Sequence, residues 1–194
     1  MHIGCLLLAA GASSRFGGCK QLARFNGRSL VRHTLENLSK VCCDRPHIVL
    51  GAYGDDIRPE VEDLATVVSN PKWQNGLASS IAIGVRRIAS QGSDGVLIAL
   101  ADQPLVDVDD FCRMIEAFDG SKAVAAYYDH QIGVPAIFPK SMFQELMSLA
   151  GDRGAKSVLG KYHENVDLVP MPNAAKDIDT ESDLLRIRTA FIDS

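Results

Sequence analysis

The chain opens on a short apolar run that ends abruptly. Ile3–Leu8 reads Ile-Gly-Cys-Leu-Leu-Leu and then breaks at Gly11 into the Gly- and Ser-rich stretch Gly11–Gly18. An apolar segment without polar alternation must be covered on both faces, which specifies a central parallel strand rather than an edge. The loop after it specifies where a ligand sits, because α/β sheets bind beyond the carboxyl ends of their strands. The remaining pattern agrees. Strands are expected at His47–Leu50, Thr66–Ser69, Gly95–Leu100, Ala123–Tyr128, Val134–Phe138 and Val166–Val169. Helices are expected after an N-cap at Ser29, over Ile57–Leu64 and Gly76–Ala89, from a cap at Asp107 to Phe118, and over Ser141–Leu149 and Ala155–Tyr162. Thr180-x-x-Asp183 has the form of a capping box opening a last helix, Glu181–Phe191. Strand and helix alternate throughout, so the fold class is α/β: a Rossmann-like three-layer sandwich with a mostly parallel sheet.

Composition narrows the function. With 194 residues the chain is expected to form a single domain, 1–194. Its 20 basic and 24 acidic side chains leave a formal charge of −4, which argues against a nucleic-acid partner held by a basic face. No stretch approaches the roughly 20 apolar residues of a membrane span, and the N-terminus lacks a basic leader, so no membrane partner and a cytoplasmic location are expected. Five cysteines without a C-x-x-C pair suggest reduced thiols rather than a disulfide framework or zinc knuckle. The five histidines show no metal-ligand spacing, and Trp73 reads as a packing or loop residue.

The loop Leu8-Ala-Ala-Gly-Ala-Ser-Ser-Arg-Phe-Gly-Gly-Cys-Lys20 is neither a Walker A loop nor G-x-G-x-x-G. Small residues there let backbone N–H groups approach an anion, with Arg15 and Lys20 as counter-charges. A βα loop with two exposed cations is the plainer alternative. Asp102 ends the apolar strand Gly95–Leu100, and Asp179 precedes the capping box. Two carboxylates near a phosphate loop suit Mg²⁺, which takes one or two carboxylates with phosphate and water oxygens. A turn residue (Asp102) and a second helix cap (Asp179) are the corresponding structural readings.

Leu8–Lys20 resembles the L-A-A-G-x-S-x-R-x-G-x-x-K signature of nucleotidyltransferases, and in particular of the molybdenum cofactor cytidylyltransferases and their MobA-like relatives. Further segments agree in order: Lys20-Gln21-Leu22, Asn75-Gly76-Leu77-Ala78-Ser79-Ser80, Ala101-Asp102-Gln103-Pro104, Gly133-Val134-Pro135, Gly151-Asp152-x-Gly154-Ala155 and Asp177-Ile178-Asp179-Thr180. The resemblance implies transfer of CMP from CTP to molybdopterin with release of pyrophosphate. It implies Arg15, Lys20 and Asp102 as catalytic residues and Asp102 with Asp179 as Mg²⁺ ligands. The nucleotide would be bound by Leu8, Ala9, Ala10, Gly11, Ser13, Asn70, Gly76 and Ser80, and the acceptor by Val134, Asp152 and Lys156. A molybdoenzyme or its chaperone is the protein partner implied. Ala10, where guanylyltransferase relatives carry Gly, is expected to narrow the pocket against a purine. Val134, Lys156 and Glu181 depart from the family's usual residues, so another phosphorylated acceptor, such as a sugar phosphate or phosphocholine, remains an alternative. A non-catalytic nucleotide-binding relative is a third.

Overall fold

The structure, a computed structural model, describes residues 1–192, with side chains through residue 189. The first strand, β1 (Ile3–Ala9), leads through the loop to a two-residue hairpin, β2 (Arg24–Phe25) and β3 (Arg28–Ser29), and then to α1 (Leu30–Ser39). Next come β4 (His47–Leu50), α2 (Gly54–Val61), β5 (Thr66–Ser69), α3 (Leu77–Ala89), β6 (Gly95–Leu100) and α4 (Val108–Ala117). The remainder comprises β7 (Ala123–Tyr128), β8 (Gln131–Pro139), α5 (Phe143–Met147), α6 (Ala155–Lys161), β9 (Val166–Pro170) and α7 (Glu181–Ile192). Seven strands form one sheet in the order β5-β4-β1-β6-β8-β7-β9. Four of the six pairings are parallel, and β8 runs antiparallel to both its neighbours, β6 and β7.

Side-chain alternation along β1 explains the layers, since successive residues face opposite sides. Cys5, Leu7 and Ala9 join Val31, Leu35 and Leu38 of α1, Ile57 and Val61 of α2, and Phe111 and Met114 of α4. Leu6 and Leu8 join Ile81, Val85 and Ile88 of α3, Phe143 and Leu146 of α5, and Val158 and Leu159 of α6. The sheet is therefore covered on both faces, as its unbroken apolar strands require. A smaller cluster of Phe25, Leu30, Ile178, Leu184 and Ile187 clamps the hairpin, α1 and α7 together. It thereby holds the segment that carries Asp179 against the body of the protein.

Two expectations change. Cys5 and Cys42 are joined by a disulfide with Cα atoms 6.2 Å apart, whereas reduced thiols were expected; Cys19, Cys43 and Cys112 are free. The fold brings β1 and the end of α1 into one core layer, a proximity across 37 positions that cysteine spacing does not encode. Ser29 stands at the N-cap of α1, but its hydroxyl donates to Glu60 Oε2 at 2.8 Å instead of capping the helix. Glu60 of α2 is thus tied to the start of α1. The Thr180 box forms as expected: the Asp183 N–H donates to Thr180 Oγ1, and the Thr180 N–H donates to Asp183 Oδ2. Among the described residues no helix is long and apolar enough to cross a membrane.

The close approach of α3 to the sheet depends on Gly84. A Cβ there would come within 2.6 Å of Leu6 Cδ1 and Cδ2 and 3.0 Å of Val49 Cγ2. Gly84→Val is expected to destabilise the protein by about 2–3 kcal/mol through overpacking. Thermal unfolding checks this, and an unchanged melting temperature would contradict the packing described.

Candidate active site

The strand order reverses at β1. The chain first moves outward to β4 and β5, then returns to place β6 on the other side of β1. The connections after β1 and β6 diverge from this point, which leaves a crevice at the carboxyl ends of the two strands. A cleft of about 460 Å³ lies there. Of the residues singled out above, Leu8, Ala9, Ala10, Gly11, Ser13, Arg15, Lys20, Gly76, Ser80, Asp102, Asp152 and Asp179 line it.

The loop after β1 is folded back on itself by Gln21. Its Nε2 donates to Gly11 O at 3.0 Å, and its Oε1 accepts from the Ser13 hydroxyl at 3.1 Å. These bonds shape the loop and occupy the Ser13 hydroxyl within it. Lys20 begins a single 3-10 turn, with its side chain only 11% exposed. Its Nζ lies 2.9 Å from Asp102 Oδ2 and 3.1 Å from Asp179 Oδ1. Arg15 Nη2 lies 2.9 Å from Asp179 Oδ2, from a side chain that is 73% exposed. Burial pulls the Lys20 ammonium toward neutrality, but the two carboxylates outweigh it and its pKa is raised. Lys20 therefore stays charged while holding both carboxylates.

Asp102 and the Asp179 segment are also joined through the main chain, where the Ile178 N–H donates to Asp102 O at 2.8 Å. Gln103 reinforces the join. Its buried Nε2 donates to Val134 O at 3.1 Å and to Ala174 O at 2.9 Å, tying the end of β6 to β8 and to the turn before Asp179. From the other side, His33 Nε2 donates to Pro104 O at 3.0 Å. Asp177, on the same segment as Asp179, adds a third carboxylate. Burial, then the charges of Asp102 and Asp179, push its carboxyl above the usual carboxylate range. Asp102 Oδ1 is buried with no hydrogen-bond partner. Among the described residues, no group of three His, Cys, Asp or Glu side chains could hold a metal ion.

The opposite wall is built at the start of α3. Gly76 has φ +92°, in the left-handed region that favours glycine, and a Cβ there would sit 2.3 Å from Gly151 O and 2.6 Å from Asp152 Oδ1. That space lets the Gly151–Asp152 turn cross the helix start, where the Ala78 N–H donates to Gly151 O at 3.1 Å. Ala10 is backed by Gly51, whose added Cβ would lie 2.5 Å from Ala10 O and 2.9 Å from Ala10 Cβ. Trp73 also lines the cleft, a placement its isolation in the sequence did not signal.

Three of the residues singled out stand outside the lining. Asn70 is buried behind Ser79 and Ser80 and bonds both hydroxyls. The Val134 carbonyl is held by Gln103, and exposed Lys156 meets Gln131 Oε1 at 2.6 Å. The sequence gives Asp177 and Gln103 no role at the site and reads Trp73 as a packing or loop residue. The first two stand in the motifs quoted above, and that motif membership was the available signal.

The profile of the MobA-like NTP transferase domain matches residues 5–166. The chain belongs to that family. It is 34% identical over 121 residues to the purine catabolism protein PucB of Bacillus subtilis, a match covering 61% of this chain and 58% of that protein. It is 21% identical over 197 residues to the molybdenum cofactor cytidylyltransferase of Escherichia coli, covering 97% of each. The crystal structure of Rv0371c from Mycobacterium tuberculosis superposes with a TM-score of 0.83 at 25% identity, over 97% of this chain and 99% of that one. A second structure of that protein is described as a complex with manganese; it has a TM-score of 0.80 at 23% identity and covers 98% of this chain and 100% of that one.

Lys20→Met removes the charge that Asp102 and Asp179 share and leaves Asp102 without a counter-charge. The variant is expected to lose on the order of 3 kcal/mol of stability in thermal unfolding. Stability equal to the parent's would show that the ion pairs are not what holds the two segments together.

Proposed function

We propose that the protein transfers CMP from CTP to a phosphorylated small molecule, with molybdopterin as the leading acceptor, acting as a single cytoplasmic domain. The observation that carries this reading is the charge arrangement at the β1–β6 crevice. Two cations, Arg15 and Lys20, stand beside two carboxylates, Asp102 and Asp179, at the mouth of a glycine-rich loop. The near full-length match to the E. coli cytidylyltransferase supports the choice of acceptor.

The residues present fit a divalent cation. Asp102 keeps one buried oxygen unpartnered. Magnesium needs only one or two carboxylates when phosphate and water complete its shell. Asp102 and Asp179 would hold the ion, which supplies charge neutralisation to the triphosphate.

Chemically, an anionic oxygen of the acceptor's phosphate monoester forms a bond to the α-phosphorus of CTP. The bond from that phosphorus to the bridging oxygen breaks, and pyrophosphate leaves with the electron pair. The nucleophile is already ionised, so no side chain need remove a proton. What the chain supplies is position and charge. Lys20 and Arg15 turn from the carboxylates to the phosphates and stabilise the charge that grows on the leaving group. The backbone of Leu8–Gly11 and the Ser80 hydroxyl face the base, with Gly76 and Ser13 shaping the walls. Ala10 cannot retreat, because Gly51 packs against it, so its methyl narrows the pocket against a purine. One methyl discriminates by ~1–3 kcal/mol. Asp152, which lines the cleft, would meet the acceptor, whereas Val134 and Lys156 would reach it only if the β8 end and α6 approach the bound acceptor.

Pyrophosphate release with Mg²⁺ and purified molybdopterin is expected with CTP and at a far lower rate with GTP. Asp102→Asn should lower the rate by roughly 10²–10³. Release with CTP and another phosphate monoester, but none with molybdopterin, would replace the acceptor and leave the chemistry standing.

A further inference from the structure

The floor of the cleft carries a hydrogen-bond polarity that can be traced bond by bond. Asn70 follows β5 and is 4% exposed. Its Oδ1 accepts from the backbone N–H of Lys72 at 3.0 Å. A backbone N–H can only donate, so this bond fixes which end of the amide is oxygen. Nδ2 therefore faces α3, where it donates to Ser79 Oγ and Ser80 Oγ, each at 2.9 Å. The Ser79 hydroxyl has carbonyl acceptors for its own hydrogen, Lys72 O at 3.0 Å and Gly76 O at 2.9 Å. Ser80 differs. It is 2% exposed, it lines the cleft, and among the described residues its hydroxyl hydrogen has no acceptor.

We infer that Asn70 is a positioning residue that makes Ser80 a hydrogen-bond donor toward the nucleobase, and that this donor selects cytosine over uracil. The inference rests on the CTP reading above. Cytosine offers adjacent acceptors at N3 and O2, whereas uracil carries a hydrogen on N3. Against cytosine, the Ser80 hydrogen meets an acceptor. Against the N3–H of uracil, two donors face each other. Ser80 Oγ could accept that second hydrogen only by leaving its own buried without a partner, and a buried unmade bond is costly. Sites that hydrogen-bond a substrate group discriminate by this means far more strongly than apolar pockets do.

The polarity can be reversed without changing the shape of the site. In Asn70→Asp the carboxylate still accepts from the Lys72 N–H, but it has no hydrogen to give. The Ser80 hydroxyl then donates to the carboxylate and turns a lone pair to the cleft, the arrangement that suits N3–H. Trp73 is the one tryptophan of the chain and lines the cleft, so quenching of its fluorescence reads nucleotide binding directly. CTP and UTP would be titrated in the presence of Mg²⁺. The parent protein is expected to prefer CTP by about tenfold or more, from the loss of one buried hydrogen bond. Ser80→Ala should remove most of that preference, and Asn70→Asp should invert it. Asn70→Ala, which frees the Ser80 hydroxyl to turn either way, should shrink the preference without inversion and serves if the Asp variant fails to fold. A preference unchanged in Ser80→Ala or Asn70→Ala overturns the inference, as does an equal loss of both nucleotides in Asn70→Asp. If the parent binds neither pyrimidine triphosphate, the CTP reading falls and takes the inference with it. A parent that prefers CTP, with variants that keep the preference, defeats the inference alone.

Discussion

Everything at the cleft depends on one buried ammonium. Lys20 contacts carboxylates 82 and 159 positions away along the chain and so joins the glycine-rich loop, the end of β6 and the segment before α7. Placing one charge in so enclosed a spot costs desolvation, and the two carboxylates offset it. The arrangement is balanced only while the cleft is empty of other charge. In the proposed reaction a triphosphate would offer Lys20 and Arg15 a second set of oxygens and release Asp102 and Asp179 for a cation. On that proposal, assembly and chemistry draw on the same four side chains.

The scaffold keeps these groups in register through contacts that hold no ligand themselves. The Ile178 N–H bond to Asp102 O fixes the spacing of the two acidic segments. Gln103 and His33 brace the turn after β6 from opposite sides. The Phe25–Ile178–Leu184 cluster then anchors the last segment through apolar burial, which is insensitive to the charge changes beside it. The charged groups that the proposed reaction rearranges are thus carried on elements that need not move.

Sequence pattern disclosed most of the fold because it is local. Continuous apolar runs identified the buried strands, and Gly11–Gly18 located the crevice. Thr180-x-x-Asp183 announced the cap of α7, which forms as read. What escaped was set by contacts across long separations. Nothing in the spacing of Cys5 and Cys42 shows that β1 and the end of α1 share a layer, and nothing around Ser29 shows that Glu60 will take its hydroxyl. The antiparallel sense of β8 is equally silent, since a buried strand reads alike in either direction. At the site, the loop cations and Asp102 were legible from their place at strand ends. Asp177 and Gln103 stood inside quoted motifs, yet their work depends on neighbours brought in by the sheet. The resemblance implies Asn70 in the nucleotide site, and the structure sets it behind Ser80, which lines the cleft.

The central claim is that Lys20, Arg15, Asp102 and Asp179 exchange partners when a metal-bound triphosphate enters. Calorimetric titration of CTP, with Mg²⁺ and then with the cation chelated, tests it most directly. The account predicts tight binding with the cation, a marked loss on chelation, and little difference between the two conditions once Asp102 is replaced by Asn. Binding of CTP equally tight with and without the divalent ion would contradict it.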